Sequence, residues 1–391
     1  MTLSRADQSL LAQWWFTIDR VLLAAIFVTM AAGLVISLAA SPSVAVNKGL
    51  PAFYFVQRHM LFAAIGTLII LSLSMQSPAV IRRLSLLLFM GALAALVAVQ
   101  IWGVSANGAQ RWLRIAGYSL QPSELAKPAF VVLSAWAFAQ SQLRKDMPGL
   151  LIAIVLFVVF AGLLVMQPDI GQTLLISIVW GALFILAGLS LVWVASLAVC
   201  AAAGMSIAYF AWPHVRFRIE QFFSPVQDET SQLAQAYRSF IEGGFLGRGP
   251  GEGTIKTSLP DAHTDFIFAV IAEEYGVATC LALLALFAII VYRALIRAVR
   301  ERDPSSRFAI TGLALLIGFQ ALINMGVNVG LLPAKGMTLP MISAGGSSMI
   351  GVAFALGMLL ALTRRRADNH DVNLPVFSPT EFGRIDAGHT Q

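Results

Sequence analysis

Charged residues are scarce in this chain, and their scarcity excludes an ordinary soluble protein. Of its 391 residues, 12% are charged and 58% are hydrophobic, whereas a soluble domain carries about 25% charged residues. The mean hydropathy of +0.79 points the same way. The composition therefore predicts a polytopic membrane protein.

Cysteine is nearly absent as well, which argues against a disulfide or zinc framework. The two cysteines, Cys200 and Cys280, both lie in apolar runs, where cysteine usually packs as a small hydrophobe. Two thiols cannot complete a structural zinc site. We therefore expect no disulfide, and we predict no metal-ligating residues.

A basic groove with interleaved aromatic residues is also lacking, so the net charge of +6 does not indicate nucleic-acid binding. A cleavable signal peptide is not evident, because residues 1–20 are polar and the first apolar run is long enough to remain as a span. We expect a cytoplasmic segment at 1–20, a membrane domain at 21–363 and a polar, disordered cytoplasmic tail at 364–391.

Apolar runs long enough to cross a bilayer, which takes about 20 residues, are what the chain has in abundance. The long apolar block from Ile170 to Trp212 exceeds one span, so we divide it at Gly188-Leu-Ser190. Ten spans are predicted, at 21–40, 60–76, 84–103, 124–140, 149–166, 170–187, 190–212, 263–292, 308–332 and 340–363. The predicted fold class is an all-α polytopic membrane protein with about ten transmembrane helices.

The distribution of arginine and lysine orients these spans. With the N-terminus inside, the short inner loops hold the cations at 82–83, 144–145, 293–307 and 364–366. This agrees with the positive-inside rule and predicts that both termini are cytoplasmic.

Several cations nevertheless fall on the predicted outer face, which the topology disfavours. Binding of an anion is one explanation, and pairing with outer carboxylates or simple exposure is the other. These cations are Arg58, Arg111, Arg114, Lys127, Arg216, Arg218, Arg238, Arg248, Lys256 and Lys335.

One long outer loop, residues 213–262, contains an amphipathic helix and a glycine-rich stretch. Leu233, Ala236, Tyr237, Phe240 and Ile241 recur at helical spacing, and Gly243-Gly244 ends the pattern. The helix is expected on the outer membrane surface or over the mouth of the bundle. Six glycines between 243 and 253 predict a tightly turning loop rather than a nucleotide site, because no strand precedes them.

The segment Leu259–Phe266 closes this loop and places a polar cluster, including His263 and Asp265, at the head of a long apolar helix. Asp265 is either an N-terminal cap or a functional carboxylate. The helix from Phe266 to Tyr292 has 27 residues, about 40 Å, and contains Glu273 and Glu274. We expect it either to tilt steeply or to extend its first two turns into an outer cavity.

Two further outer motifs carry charged residues. Glu124 and Lys127, at i and i+3 in Gln121–Lys127, share one helical face, although Glu124 also complements the helix dipole. Asp169 lies in the turn Gln167–Gln172, where a turn-forming role is the simpler reading.

The end of the chain carries a third motif, in which Asn324 and Asn328 precede an outer loop bearing Lys335. The serines of the last span, Ser343, Ser347 and Ser348, are typical of close helix packing.

Together these motifs resemble the SEDS family, which includes FtsW and RodA. Residues 328–340 are similar to the divisional branch, because elongation-type members usually lack a lysine at the position of Lys335. Ala344 departs from the family, in which many members carry tyrosine. The stretches that carry the resemblance are Arg111–Arg114, Gln121–Lys127, Gln167–Gln172, Leu259–Glu274 and Asn324–Ser348.

The resemblance implies a peptidoglycan glycosyltransferase that polymerises lipid II at the outer face of the cytoplasmic membrane. It implies Asp265 as the catalytic residue, with Arg111, Glu124 and Lys127 as further functional positions. The full set of predicted substrate-binding residues is Arg111, Glu124, Lys127, Asp169, Arg216, Arg218, His263 and Lys335.

The expected partners are lipid II, the nascent glycan strand, membrane lipid, a class B penicillin-binding transpeptidase of the FtsI type and other divisome proteins at the septum. No cofactor is required by the resemblance, and a divalent cation, Mg²⁺ or Mn²⁺, is left open.

Simple chemistry agrees with this expectation, because a polymerase outside the cell needs a donor that is already activated. A lipid pyrophosphate is a good leaving group, so one base suffices, and cations stabilise the departing charge. Two rival functions remain open: a transporter that flips lipid II, and a division scaffold without chemistry.

Overall fold

The computed structural model describes residues 9–106, 109–115, 117–144, 146–188, 191–211, 216, 220, 231–259, 261–333 and 336–365. Arg218, Lys335, most of 213–230 and the predicted tail beyond residue 365 therefore lie outside the described residues.

Twelve α-helices occur in the described part of the chain, and ten of them correspond one to one with the predicted spans. In chain order the helices are α1 Leu10–Thr17, α2 Arg20–Asn47, α3 Tyr54–Ser74, α4 Pro78–Trp102, α5 Pro122–Leu143, α6 Gly149–Met166, α7 Ile170–Leu186, α8 Leu191–Ala211, α9 Gln232–Gly243, α10 Ile267–Arg300, α11 Pro304–Asn328 and α12 Gly346–Leu362.

Six of the described helices are long and apolar enough to cross a membrane, namely α2, α3, α4, α6, α10 and α11, and α7 and α12 are shorter apolar helices. The polytopic membrane fold is thus confirmed, whereas the number of ten crossings stays a prediction. The division at Gly188 also agrees with the structure, because α7 ends at Leu186 and α8 begins at Leu191.

Short polar side chains set where several helices begin. Asp19, Ser77 and Ser231 accept hydrogen bonds from the first N–H groups of α2, α4 and α9, which otherwise lack partners. Pro78 follows Ser77 at a position where its missing N–H costs nothing.

One end of the bundle is held by ion pairs around Asp19. Its carboxylate accepts from Arg297 at 2.6 Å and from Arg293 at 3.1 Å. Burial by itself raises the pKa of Asp19, but hydrogen bonds from Leu22 N–H and the two guanidinium groups hold that pKa below its usual value. The start of α2 and the end of α10 therefore lie together, as expected for two inner ends.

Helix α5 lies at the centre of the core. Its residues from Ala126 to Ala139 are buried almost without interruption, and Phe130 packs against the rings of Phe89 and Phe160 at 6.2 and 5.2 Å between centroids. Gly351 lets α12 approach closely, since a Cβ there would lie 2.4 Å from the Glu124 carbonyl oxygen. Small residues of this kind are typical of packed membrane helices.

A three-stranded antiparallel sheet between α4 and α5 is absent from the all-α prediction. Its strands are β1 Val104–Ala106, β2 Ala109–Ile115 and β3 Tyr118–Leu120. The strands are short, so they leave little periodic signal in the sequence. The sheet carries Arg111 toward the turn that contains Asp169.

The amphipathic helix is confirmed as α9, which Gly244 ends with a positive φ of 55°. Helix α9 packs on α10 through the buried Ala236 and Ser239 and through Phe240, whose ring lies 5.8 Å from that of Phe268. Tyr237 and Ile241 remain 58% and 64% exposed.

The long helix α10 is broken at Gly276, which has φ 81° and ψ 170°. The loop after α9 fills the break: Arg248 N–H and Gly249 N–H donate to the carbonyls of Glu273 and Glu274. On the far side of the break, the N–H groups of Val277 and Ala278 donate to the carbonyl oxygens of residues 244 and 245. The expectation of one unbroken helix is therefore wrong, because a short segment, residues 267–275, precedes the long span; the tilt of the helix and the extension of its first turns into an outer cavity stay predictions.

Glu273 and Glu274 attach the rest of the glycine-rich loop to this short segment. Glu273 accepts from the backbone N–H groups of Thr254 at 2.6 Å, Ile255 at 2.8 Å and Lys256 at 3.3 Å. Glu274 pairs with the Lys256 ammonium group, which also donates to the Ala39 carbonyl at 3.1 Å. The two carboxylates inside the apolar run are thus loop-binding groups.

We predict that Gly276→Ala destabilises the protein strongly. An alanine Cβ at this position would lie 2.3 Å from the Phe245 carbonyl oxygen, and the positive φ alone costs about 1–3 kcal/mol. Thermal unfolding in detergent should show a clearly lower midpoint. Gly91→Ala is the matched control, because nothing lies within 4 Å of its added Cβ; equal midpoints for the two variants would contradict the prediction.

Candidate active site

Asp265 lies half-buried just before α10, in the turn formed by residues 261–266. Its main chain is fixed from α11, because Asn324 Nδ2 and Asn328 Nδ2 both donate to the Asp265 carbonyl, at 2.9 and 3.0 Å. Its carboxylate faces Gly336, where a Cβ would lie 3.5 Å from Asp265 Oδ2.

The start of α10 forms a side-chain hydrogen bond with α11. Phe266 occupies the N-cap position of α10 and supplies no side-chain hydrogen bond. The N–H of Ala269 instead donates to Asn328 Oδ1 at 3.0 Å. An amide from α11 therefore serves the start of α10.

A stripe of three amide side chains on α11 connects Asp265 with the other predicted site. Gln320, Asn324 and Asn328 recur at i, i+4 and i+8 and are all buried. Asn324 Nδ2 also donates to the Met337 carbonyl at 2.6 Å, and Gln320 Nε2 donates to the Thr338 carbonyl at 3.2 Å. The stripe thus binds both the Asp265 segment and the irregular segment 336–339.

At the other end of the stripe lies the Glu124–Lys127 pair. Lys127 Nζ lies 2.9 Å from Glu124 Oε2 and 3.1 Å from Gln320 Oε1. Gln172 Nε2 donates to Glu124 Oε1 at 2.6 Å. With Lys127 only 2% exposed, this is a buried ion pair of the predicted i, i+3 geometry.

Arg111 and Asp169 form a second pair beside the first. Arg111 lies 3.4 Å from Asp169 Oδ1 and also donates to the carbonyls of Gln167 and Pro168. Burial raises the pKa of Asp169 above its usual value, while Arg111 and the Gln172 N–H act in the opposite direction. Asp169 also caps α7 through Gln172 N–H, so the turn-forming reading is correct as well.

These four residues bring two cations and two carboxylates together, and their formal charges cancel. Arg111 and Lys127 can therefore bind a substrate anion only in competition with Asp169 and Glu124. Their first consequence is structural, since they tie the sheet, α5 and the start of α7 to one another.

His263 is buried two residues before Asp265. Its ring lies 4.4 Å from the ring of Phe55, and its carbonyl accepts from Ala344 N–H at 2.9 Å. Burial, reinforced by the charge of Lys48, lowers the pKa of His263 to about 4. The imidazole is therefore neutral at physiological pH, and its predicted contact with substrate stays a prediction.

The remaining predicted cations do not join this group in the described structure. Arg216 is exposed and pairs with Glu220 at 2.7 Å, while Arg218 and Lys335 lie outside the described residues. Gln320 and Gln172, which contact the buried pair, were missed as site residues because a lone glutamine in an apolar helix carries little signal.

No group of three or more His, Cys, Asp or Glu side chains in the described residues has the arrangement of a metal site. Within the part of the chain that the structure describes, these side chains form no cage for Mg²⁺ or Mn²⁺, which prefer several oxygen ligands.

We predict that Lys127→Met lowers the free energy of unfolding by about 3–5 kcal/mol, because it leaves the Glu124 charge buried without its partner. The double variant Glu124→Gln/Lys127→Met should regain much of that loss in denaturant unfolding. Arg248→Met, which breaks an exposed pair with Glu242, is the control and should cost at most about 1 kcal/mol. A double variant as unstable as the single one would refute the coupling.

We also predict a pH dependence of stability from His263. Above pH 6.5 the residue is neutral in both the folded and unfolded states and contributes nothing. As the pH falls from 6.5 toward 4, the unfolded state takes up a proton that the folded state excludes, so stability falls by at most about 1.4 kcal/mol per pH unit. His263→Gln should show a shallower loss over this range, and parallel curves would refute the assignment.

Similarity to known proteins extends along nearly the whole chain. The sequence model of a family described as cell cycle protein, comprising FtsW, RodA and SpoVE, matches residues 19–368. A Caulobacter vibrioides protein named probable peptidoglycan glycosyltransferase FtsW is 44% identical over 385 residues, 98% of this chain and 98% of that protein. A protein of the same name from Trichlorobacter lovleyi is 35% identical over 356 residues, 88% of this chain and 93% of that protein.

Two solved structures share the fold. A chain of a peptidoglycan synthase complex, described as coordinating polymerization and crosslinking, has a TM-score of 0.74 at 28% identity, and the match covers 89% of this chain and 98% of that chain. The rod shape determining protein RodA of Thermus thermophilus has a TM-score of 0.65 at 25% identity, covering 90% of this chain and 99% of that chain.

Proposed function

This chain belongs to the FtsW, RodA and SpoVE family of cell cycle proteins, and we infer that it is a peptidoglycan glycosyltransferase of cell division. It is a multi-pass membrane protein, as its apolar helices indicate.

We propose further that it polymerises lipid II at the outer face of the membrane, at the septum, with both termini cytoplasmic. The similarity to a chain of a complex that couples polymerization with crosslinking supports a crosslinking partner. We propose that this partner is a class B penicillin-binding transpeptidase.

The observation that carries the mechanism is the placement of Asp265. Its backbone is held by two buried amides of α11, and one of them, Asn328, also accepts from the Ala269 N–H in the first turn of α10. A rigid main chain fixes where the carboxylate lies, as catalysis by a positioned group requires. Because the residue is half-buried rather than sealed in the core, a substrate hydroxyl can approach it.

In the proposed reaction, Asp265 removes the proton from the acceptor hydroxyl as that oxygen attacks the anomeric carbon of the donor. The glycosidic bond forms while the bond from that carbon to the diphosphate breaks, and the electron pair leaves with the lipid diphosphate. One base is sufficient because the leaving group is already a weak base.

Cations stabilise the charge that develops on the departing diphosphate. We propose Arg111, Lys127, Arg216, Arg218 and Lys335 as candidates, with Glu124 and Asp169 fixing the first two. A divalent cation, Mg²⁺ or Mn²⁺, would neutralise diphosphate charge if bound there. Since the described side chains form no preformed metal site, no step is assigned to it.

We predict that Asp265→Asn abolishes glycan-strand formation from lipid II by the purified protein with its transpeptidase in nanodiscs, because the amide cannot accept the proton. Polymer is measured by gel electrophoresis of labelled product. Asp261→Asn is the matched control: it removes a carboxylate from the same turn, and asparagine tolerates its positive φ of 54°.

Polymer formation by Asp265→Asn at the parental rate would refute the mechanism. A parallel assay of lipid II translocation in vesicles separates the rival functions. A flippase would move lipid II without making polymer, and a scaffold would do neither.

A further inference from the structure

Two cations at the end of α2 and the start of α3 have no carboxylate partner among the described residues. Five other cations, Arg111, Lys127, Arg216, Arg248 and Lys256, each pair with a carboxylate. Lys48 and Arg58 form no ion pair with any described residue. A cation without a partner is the kind that binds an anionic ligand at little electrostatic cost.

Arg58 is oriented by two aromatic rings. Its guanidinium carbon lies 5.6 Å from the ring centroid of Tyr54 and 5.1 Å from that of Tyr118 on β3. One of its amino groups donates to the Tyr54 hydroxyl at 3.0 Å. Stacking of this kind fixes the plane of the guanidinium and leaves most of its donors for a ligand.

Lys48 lies near a neighbouring ring of the same aromatic group. Its ammonium lies 5.6 Å from the ring centroid of Phe55, and the rings of Tyr54 and Phe55 are 5.2 Å apart. Phe55 and Arg58, at i and i+3, share one face of α3. The two cations therefore belong to one cluster, which we call the outer cation cluster, defined by Lys48, Tyr54, Phe55, Arg58 and Tyr118.

The outer cation cluster adjoins the segment that carries Asp265. Phe55 contacts the ring of His263, two residues before Asp265. Asn47, next to Lys48, donates to the Thr257 carbonyl at 2.9 Å. The charge of Lys48 also reaches the His263 imidazole, since it helps to lower the pKa of that group.

We propose that Lys48 and Arg58 form an anion subsite that binds the diphosphate of a lipid-linked sugar. The proposal rests on the proposed function and adds a subsite to it, because chain growth requires a lipid-linked donor beside Asp265. Lys48 directly follows the last residue of α2, and Arg58 lies in the first turns of α3. Two cations so placed suit a diphosphate with several oxygens better than a single carboxylate.

The test measures binding of undecaprenyl pyrophosphate to the full chain in nanodiscs of neutral lipid. The variant Lys48→Gln/Arg58→Gln should raise the Kd at least about tenfold. With the transpeptidase present, it should raise the KM for lipid II about tenfold and change kcat less than about twofold. Arg58→Lys, which keeps the charge, should restore part of the affinity, a result that loss of packing alone would not produce.

Arg238→Gln is the matched control, because Arg238 is an exposed cation of α9 that forms no ion pair with a described residue; its Kd should equal that of the parent. If the double variant unfolds, Lys48→Gln alone carries the test, since Lys48 is exposed. An unchanged Kd in the folded variant overturns the subsite.

Competition identifies the source of the phosphate. Nanodiscs containing phosphatidylglycerol should compete weakly with undecaprenyl pyrophosphate; equal competition would make the cluster a general phospholipid site and overturn the diphosphate assignment. Asp265→Asn should bind undecaprenyl pyrophosphate as the parent does. Failure of the proposed base and failure of the subsite therefore appear in different measurements, turnover in one case and binding in the other.

Discussion

The backbone hydrogen bonds that fill the break at Gly276 are the constraint on which the end of the bundle that carries Asp265 depends. A broken helix exposes carbonyl and N–H groups that a membrane environment cannot satisfy. Here the loop after α9 supplies partners on both sides of the break, and Glu273 and Glu274 bind the remainder of the loop. The short segment 267–275 is thereby bound to the loop and to α9.

Two groups of charged side chains differ in how their charge is compensated. Glu124–Lys127 and Arg111–Asp169 are neutral as a group and largely buried, so their cost of desolvation is offset by mutual attraction and by amide hydrogen bonds. Lys48 and Arg58 instead lie against aromatic rings. The first arrangement favours rigidity, whereas the second keeps positive charge accessible.

The positions of the helices could be predicted from the sequence because long apolar runs have one stable form in a bilayer. Glu124 and Lys127 were also predictable as a pair, since i, i+3 spacing on a helix brings such side chains together. The motifs further identified the family and its reaction. Patterns of this kind report on residues that lie within about two helical turns of one another.

The break at Gly276 could not be predicted, because its partners are backbone groups of a glycine-rich loop, which carry no side-chain signature. Glu273 and Glu274 indicated that the apolar run was unusual, but they did not indicate which groups they bind. Gln320 was missed because its contacts come from α5 and the 338 carbonyl. Lys48 was missed because α2 extends to Asn47, beyond the predicted end at residue 40.

The amide stripe of α11 has a consequence for the order in which the protein matures. The loop that fills the break at Gly276 is synthesised before α10, so its partners are present as soon as that helix emerges from the ribosome. Asn324 and Asn328 follow Asp265 by 59 and 63 residues, and they belong to a separate membrane helix. The hydrogen bonds that hold the Asp265 carbonyl can therefore form only after α11 has been synthesised and packed beside α10, so this part of the site is completed late in the assembly of the bundle.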